Sequence, residues 1–598
     1  MTENDKPAGL SRRRLLAGAG TAGAGLAAAS AGMLPGIRPA AARAAITGTG
    51  AAGHALPPGA PANSMLFGRI FPRLAPFAQV SDTVQAALLE VGAQGGIMDA
   101  QDDLAAGPKE LIVDPAVNGN PTAGDPYGTN PDNPTMTAGS TFVGQFTDHD
   151  ITFDQTSHLG VTANPLTSPN TRTPALDLDS VFGGGPALSP GLYVANPDGT
   201  AGPQLRTGSG GMHEDVPRTP SADGSYSAIL GDPRNDENLI IAGLHCGHIL
   251  FYNRVLADLG ALDLSRFPAA RGASPRALSA RDGDRALNYL RYLVAREVTL
   301  WHYQWLLVNE HLPQIAGQQV VDDVLANGNR FYQPPPGDAF MPIEFGAACY
   351  RFGHSMVRPS YRANFTSATG DSANPAAAPF FALVFDATQA GFNGPVSTDR
   401  DDLLGGYPAP RRYVGWQTFF DFGDGQVKNN KKIDTTISSV LFTLPLPAIA
   451  PRTQTAPTVL PQRNLLRQLT WGLPSGQAVA QAMGVPALAA ADLADIGSVY
   501  APFATSTPLW YYILAESKIA AGGLNLGPVA ARIVAETLIG LLRADPSSYL
   551  SAYPRFTPFL GADCPMGPAP DTSITGNRSY TRGHFLYYAG VVQPGSYR

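Results

Sequence analysis

The chain has 598 residues, 44% hydrophobic and only 15% charged, with a formal net charge of -7. This acidic balance excludes nucleic acid as an expected partner, because such binding needs a basic stripe and the sequence has none. The apolar content suffices for a large core, and 65 Gly with 54 Pro predict long ordered loops between helices rather than disorder.

The N-terminus reads Ser11-Arg12-Arg13-Arg14-Leu15-Leu16, then an uncharged Ala/Gly-rich run to about Gly36, then Ala42-Arg43-Ala44. This is the pattern of a twin-arginine signal with an A-x-A cleavage site. Residues 1–44 are expected to be the signal, 45–63 a flexible segment and 64–598 one large domain, exported to the periplasm or the cell exterior. The alternative is a retained membrane anchor, although Gly and Ala make the run weakly apolar for a span. Twin-arginine export carries folded proteins, often with a cofactor already loaded, so the address itself hints at a prosthetic group. Cys246, Cys349 and Cys564 are too few for a disulfide framework and lack metal spacing, so they read as small buried apolar residues.

Met65 to Ala78 is apolar with two prolines, a packed lead-in rather than a long helix. Val80 to Gly92 has a helical apolar period with Ser81 or Asp82 as cap. Asn118 to Gly139 reads as a long Pro/Gly/Asn/Thr loop that delivers the chain to Gly144-Gln145-Phe146-Thr147-Asp148-His149-Asp150. If that stretch is helical, Gln145, Asp148 and His149 share a face while Asp150 turns roughly 100° away, so one helix can serve two sites. Thr173-Pro174-Ala175-Leu176-Asp177-Leu178-Asp179-Ser180 offers alternating oxygen donors. With Asp150, the Thr173 hydroxyl and carbonyl, the Ala175 carbonyl and the carboxylates of Asp177 and Asp179 suit calcium better than zinc.

Residues 183 to 229 read as a surface excursion. Asp232 as N-cap and Pro233 at the first helical position then predict a helix running past Ile241, Leu244, Phe251 and Val255. Arg234 and Glu237 would share its first turn. Leu287 to Leu312 predicts a long aromatic-rich helix, on which His302 reads as a packed histidine. Glu344 to Val357 predicts another, with Gly353 before His354 leaving room for a flat ligand or a second backbone. Asn464-Leu465-Leu466-Arg467 supplies an amide and a cation before a helix stop at Gly472-Leu473-Pro474, and apolar helices follow near 509 to 543.

In succession, GQFTDHD, TPALDLDSVFG, GDPRNDE, YRFGH and NLLR followed by GLP resemble the animal-type haem peroxidase family, the peroxidase-cyclooxygenase superfamily, and in particular its bacterial signal-bearing members. The resemblance covers about residues 64 to 480, with core motifs over 144–474, and implies a mainly α, multi-helix single domain with long loops and little β-structure. It implies haem b and calcium as cofactors. His149 matches the distal histidine, Gln145 its pocket neighbour, Arg234 the distal arginine and His354 the proximal ligand to the haem iron. Asn464 matches the asparagine bonded to the other nitrogen of that ligand, and Arg351 and Arg467 are assigned to haem binding. Asp148 and Glu237 fall on the two carboxylates that are ester-linked to haem in animal relatives. Asp150, Thr173, Ala175, Asp177 and Asp179 fall on the calcium site.

The implied activity is peroxide-dependent oxidation of small donors, phenols or halides, through a ferryl haem. His149 would act as acid and base, and Arg234 would assist O-O cleavage. Asn238 stands where myeloperoxidase has the methionine of a third haem link, so no sulfonium is expected. Gln468-Leu469-Thr470-Trp471 departs from the mammalian sequence near the propionates. Arg351 occupies the position of the radical tyrosine of cyclooxygenases and fatty-acid dioxygenases, and Tyr350, one residue back, is expected to face another side of its helix. A fatty-acid dioxygenase and a non-enzymatic calcium-binding or adhesion protein are the alternative functions.

Overall fold

The computed structural model describes residues 66–111, 130–209, 214–222, 226–279, 285–364, 380–387, 402–406, 413–449, 455–558 and 580–592. The twin-arginine stretch, the segment 45–63 and Cys564 lie outside the described residues. All described residues belong to one compact unit, Gly53–Arg598. The fold is mainly helical, and its sheets among the described residues are two-stranded pairs.

The lead-in is packed as its apolar content requires: Phe67, Phe71 and Phe77 are buried, and Phe67–Gly68 pairs in parallel with Met341–Pro342. Buried Glu344 accepts from the Ile70 and Phe71 N–H groups at 3.0 Å each, tying this segment to the one that carries His354. Helix α1 (Asp82–Val91) starts at Ser81, whose Oγ accepts from Val84 N–H at 3.2 Å and satisfies a donor that has no partner within the helix. The stretch expected as loop contains strand β1 (Asp132–Thr137), paired antiparallel with β2 (Asn429–Lys431). Its polar residues hide the strand because only Asn133 and Met136 are buried. From β1 the chain enters α2 (Gly139–Ile151).

The helix expected from Asp232 is interrupted. Asp232 caps a 3-10 turn, Pro233–Asp236, by accepting from Arg234 N–H at 2.9 Å. The chain then extends at Asn238 (φ -144°, ψ 161°), whose side chain caps a new helix, α3 (Leu239–Asp258), by accepting from Ile241 N–H at 2.9 Å. Two side-chain acceptors close together offer the backbone two starts, and both are used. Among the described residues α3 is the helix long and apolar enough to cross a membrane, yet 72% of its apolar window is buried inside the protein. Helix α4 (Arg285–Leu306) packs on α3 and widens into a π turn at Leu307–His311 before Leu312–Ala316, rather than running on regularly to Leu312. Pro313 cannot donate to the carbonyl four residues back, which accounts for the loosened turn.

The helix expected over Glu344 to Val357 is three short pieces: Ile343–Gly346, a 3-10 turn Cys349–Phe352, and α5 (Gly353–Met356), separated by the bend at Ala348 (φ -134°, ψ -73°). Helix α6 (Leu460–Thr470) stops at Trp471, with Gly472 at φ +54° in the left-handed region glycine tolerates. Helices α7 (Leu509–Ala521) and α8 (Pro528–Ala544) supply the apolar pair expected near 509 to 543. Helix α9 (Arg582–Ala589) closes the core by stacking Phe585 on Phe251 of α3, ring centroids 3.9 Å apart. The excursion 183–229 folds in its described part as three small antiparallel hairpins. Cys246 and Cys349 are free and buried.

Candidate active site

Gln145, Asp148 and His149, at i, i+3 and i+4 of α2, line one cavity together with Arg234, Glu237, Tyr350, Arg351, His354, Arg463, Asn464 and Arg467. His149 is 5% exposed; its Nδ1 lies 2.9 Å from Asn235 Oδ1 and its Nε2 4.0 Å from Glu237 Oε2. Burial, and then the charge of Arg234, hold this imidazole down at about 4, so it is neutral at pH 7. Gln145 Nε2 donates to Glu237 Oε2 at 3.1 Å, and its Oε1 accepts from Asn238 Nδ2 at 3.3 Å. Burial pushes the Glu237 carboxyl up to about 8. Asp148 Oδ1 accepts from Thr152 Oγ1 at 2.8 Å.

Arg234 is held on several sides. Its Nε and Nη2 donate to Asp232 at 3.0 and 2.9 Å, and Nη2 also donates to the carbonyls of Thr152 at 2.6 Å and His149 at 3.2 Å. The guanidinium lies 4.1 Å from the centroid of the Phe153 ring. Burial alone would lower the pKa of Arg234, but Asp232 outweighs it and raises it. Asp232, pushed up by burial, is in turn held at about 2 by that guanidinium. By sequence Asp232 reads only as a helix cap; the structure makes it also the anchor of the arginine.

The opposite wall carries His354 on α5. Asn464 on α6 brings its Nδ2 within 2.7 Å of His354 Nδ1, while its buried Oδ1 has no partner. Turning this amide by 180° makes Oδ1 the acceptor of an Nδ1–H proton, which leaves His354 Nε2 as a free ligand atom. Burial, then Arg351 and Arg467, hold His354 at about 3. Tyr350 also lines the cavity: residues 349–352 form a 3-10 turn, which keeps it about 120° from Arg351, and its ring stacks on Phe345 at 4.5 Å while its hydroxyl is 3.3 Å from His311 Nε2.

Arg351 and Arg467 make no ion pair among the described residues, and Arg351 Nε is buried without a partner. Burial, then the Arg351 charge, pull Arg467 down to about 9; Asp148 and Asp154 offset only part of this. Arg463, pulled down to about 10 by burial and then by Arg351, adds a third guanidinium to the lining. Gathered, buried positive charge of this kind calls for an anion. The carboxylates of haem b fit it, as His354 fits the iron. Asn235 and Arg463 carry no signal in the sequence beyond the nearness of Asn235 to Arg234, while Asp232, Asn238 and Tyr350 read there in other roles.

Asp150 turns away from this cavity, and its carboxylate meets those of Asp177 and Asp179, with one oxygen of each within 4.8 Å of the others. It accepts from Ser180 Oγ and from Leu178 N–H, both at 3.1 Å. Leu178 itself sits at φ +54°, a conformation a branched residue adopts only when held there. Thr173 and Ala175 lie on the same loop, and Thr173 Oγ1 donates to Asp179 at 3.0 Å. Burial and then the neighbouring Asp179 push Asp177 up to about 7. Arg172 pairs with Asp179 at 3.2 Å and Arg296 with Asp177 at 3.7 Å, so two guanidiniums share the site. Three converging carboxylates still offer the oxygen donors a hard cation takes.

No curated protein matches the chain by sequence. Solved structures similar in fold include peroxidase A from Dictyostelium discoideum, 14% identical with TM-score 0.49, covering 90% of this chain and 96% of that one. They also include fatty acid alpha-dioxygenase from Oryza sativa, 14% identical with TM-score 0.50, covering 89% and 80%. The counterpart from Arabidopsis thaliana is 14% identical with TM-score 0.49, covering 88% and 76%. The family model for animal haem peroxidases matches residues 142–389, a span that includes His149, Arg234 and His354 and ends before Asn464 and Arg467. Residues 142–389 are thus identified as matching an animal haem peroxidase domain, and the solved structures share the fold.

Proposed function

We propose that the chain is an exported haem peroxidase that uses hydrogen peroxide to oxidise small donors such as phenols or halides. One observation carries this reading: a neutral, buried His149 and an asparagine-backed His354 line the same cavity, beside a cluster of arginines. His354 and Asn464 would hold haem b from one side, and Arg351, Arg463 and Arg467 would receive its carboxylates. Bound there, haem supplies the redox chemistry that removes electrons from the donor. His149 Nε2 takes a proton from hydrogen peroxide and returns it to the departing hydroxyl, so water leaves instead of hydroxide. Arg234, kept charged by Asp232, stabilises the negative charge that develops on the oxygen. Gln145, braced between Glu237 and Asn238, directs polar groups to the same space. Asp148 and Glu237 present carboxyls to the cavity, where ester links to haem would form.

The haem-supplemented chain should show a Soret band and oxidise a phenol or a halide only when peroxide is added. A colourless or inert protein under those conditions would end this reading. Acidified organic solvent should fail to extract the haem if Asp148 and Glu237 are both bonded to it. A fatty-acid dioxygenase is a second reading, favoured by Tyr350, a phenol at the cavity wall within reach of His311. Oxygen uptake with linoleate and no added peroxide would select it.

Calcium at Asp150, Asp177 and Asp179, with oxygens of Thr173 and Ala175, would neutralise the repulsion among the carboxylates and lock the C-terminal end of α2. Calcium at about a thousand times its Kd should stabilise the chain by about 4 kcal/mol, a gain that a chelator removes. Calorimetry with and without chelator measures this, and Asp150→Asn should abolish the difference. An unchanged melting temperature would exclude a resident cation there.

A further inference from the structure

We propose that Asn235 is a positioning residue that fixes which nitrogen of His149 carries the proton, so that Nε2 faces the cavity as a bare acceptor. The tautomer is argued from the structure alone; its effect on rate rests on the peroxidase reading. Asn235 is fully buried, and its amide is engaged at both ends: Oδ1 lies 2.9 Å from His149 Nδ1, and Nδ2 lies 3.0 Å from His245 Nδ1. An amide oxygen only accepts, so His149 Nδ1 donates the proton. An amide nitrogen only donates, so His245 accepts on Nδ1. His245 is 1% exposed and held neutral by burial, which suits it to that role.

Among the described residues no other side chain hydrogen-bonds to this nitrogen. Arg234, Asp232 and Asp148 act on His149 through their charge, and Glu237 stands 4.0 Å from Nε2, beyond hydrogen-bond reach. The backbone that carries this side chain is fixed in turn, because Asn235 N–H donates to Asp232 O at 3.2 Å in the 3-10 turn whose cap also holds Arg234. One turn therefore sets the arginine and the histidine together. Reversing the amide would reverse both imidazoles and place a proton on Nε2, leaving no lone pair to take one from a substrate.

The test is nitrogen NMR on the full haem-free chain labelled with 15N-histidine, with the His149 signals identified by their loss in His149→Ala. The expected pattern is protonated Nδ1 and unprotonated Nε2. Asn235→Leu, similar in size but without an acceptor, should give mixed tautomers and, after haem loading, slow the reaction with peroxide by about 10–100-fold with the donor KM unchanged. Asn235→Asp restores the acceptor and should restore the Nδ1–H tautomer. A parent chain protonated on Nε2 overturns the proposal, as does an Asn235→Leu chain with the parent tautomer and rate. The parent spectrum needs no variant to fold. A haem-loaded parent inert to peroxide would defeat the peroxidase reading while leaving the tautomer measured.

Discussion

His354→Ala should produce a folded chain that no longer binds haem with the parent's spectrum and has lost peroxidase activity. The side chain lines the cavity and makes one hydrogen bond, to Asn464 at 2.7 Å, so its removal should cost the fold only about 0.5–1.5 kcal/mol. Its loss to haem binding is of another order. A haem iron depends on an axial ligand, and the arginines opposite the carboxylates supply charge but no donor to the metal. Because the alanine leaves an imidazole-sized space beside Asn464, added imidazole should enter it and restore part of the parent spectrum. Asn464→Ala tests the partner: it should weaken haem binding or activity by about 10–100-fold, since an imidazole without its hydrogen-bond acceptor is a poorer and less oriented ligand. If His354→Ala kept the parent's spectrum and turnover, the ligand would have to be sought elsewhere in the cavity.

What the sequence could say about this site follows from what each residue's role depends on. Gln145, Asp148 and His149 are legible because three-and-four spacing on one helix determines a shared face, and Asp150 is legible as the residue excluded from it. Ser81 is legible because capping is local. The break before α3 is not, since Asp232 and Asn238 are each good caps and nothing local forces both to be used. Tyr350 is not legible as a cavity residue, because its place is set by the stack on Phe345 and by His311, which comes from another element. Asn235 needs partners on both sides, one of them His149, which comes from a different helix. The carboxylate cluster is legible from the alternating Asp177 and Asp179, whereas Arg296, which pairs with Asp177, arrives from α4 and has no signature in the loop.

His149→Ala should leave haem bound and lower the rate of reaction with hydrogen peroxide by about 10²–10⁴-fold, the range for loss of a positioned acid and base. Haem should stay because His354, Asn464 and Arg467 come from other elements and do not bond to the His149 side chain. Burial and Arg234 hold His149 at about 4, so the parent should keep its base in the reactive form from neutral pH down to that region. A loss of rate assignable to this residue should therefore appear only as pH falls toward 4, and it should be absent from the alanine variant. His149→Gln separates base from shape: its amide can still bond to Asn235 and fill the space, yet it has no lone pair basic enough to accept the proton. It should be nearly as slow as the alanine variant, with haem binding unchanged. Rapid mixing of each haem-loaded protein with peroxide, followed at the Soret band, measures the rates directly. A glutamine variant as fast as the parent would show that His149 only fills space, and the proton transfer would then fall to Glu237, 4.0 Å from it and held mostly protonated near neutral pH.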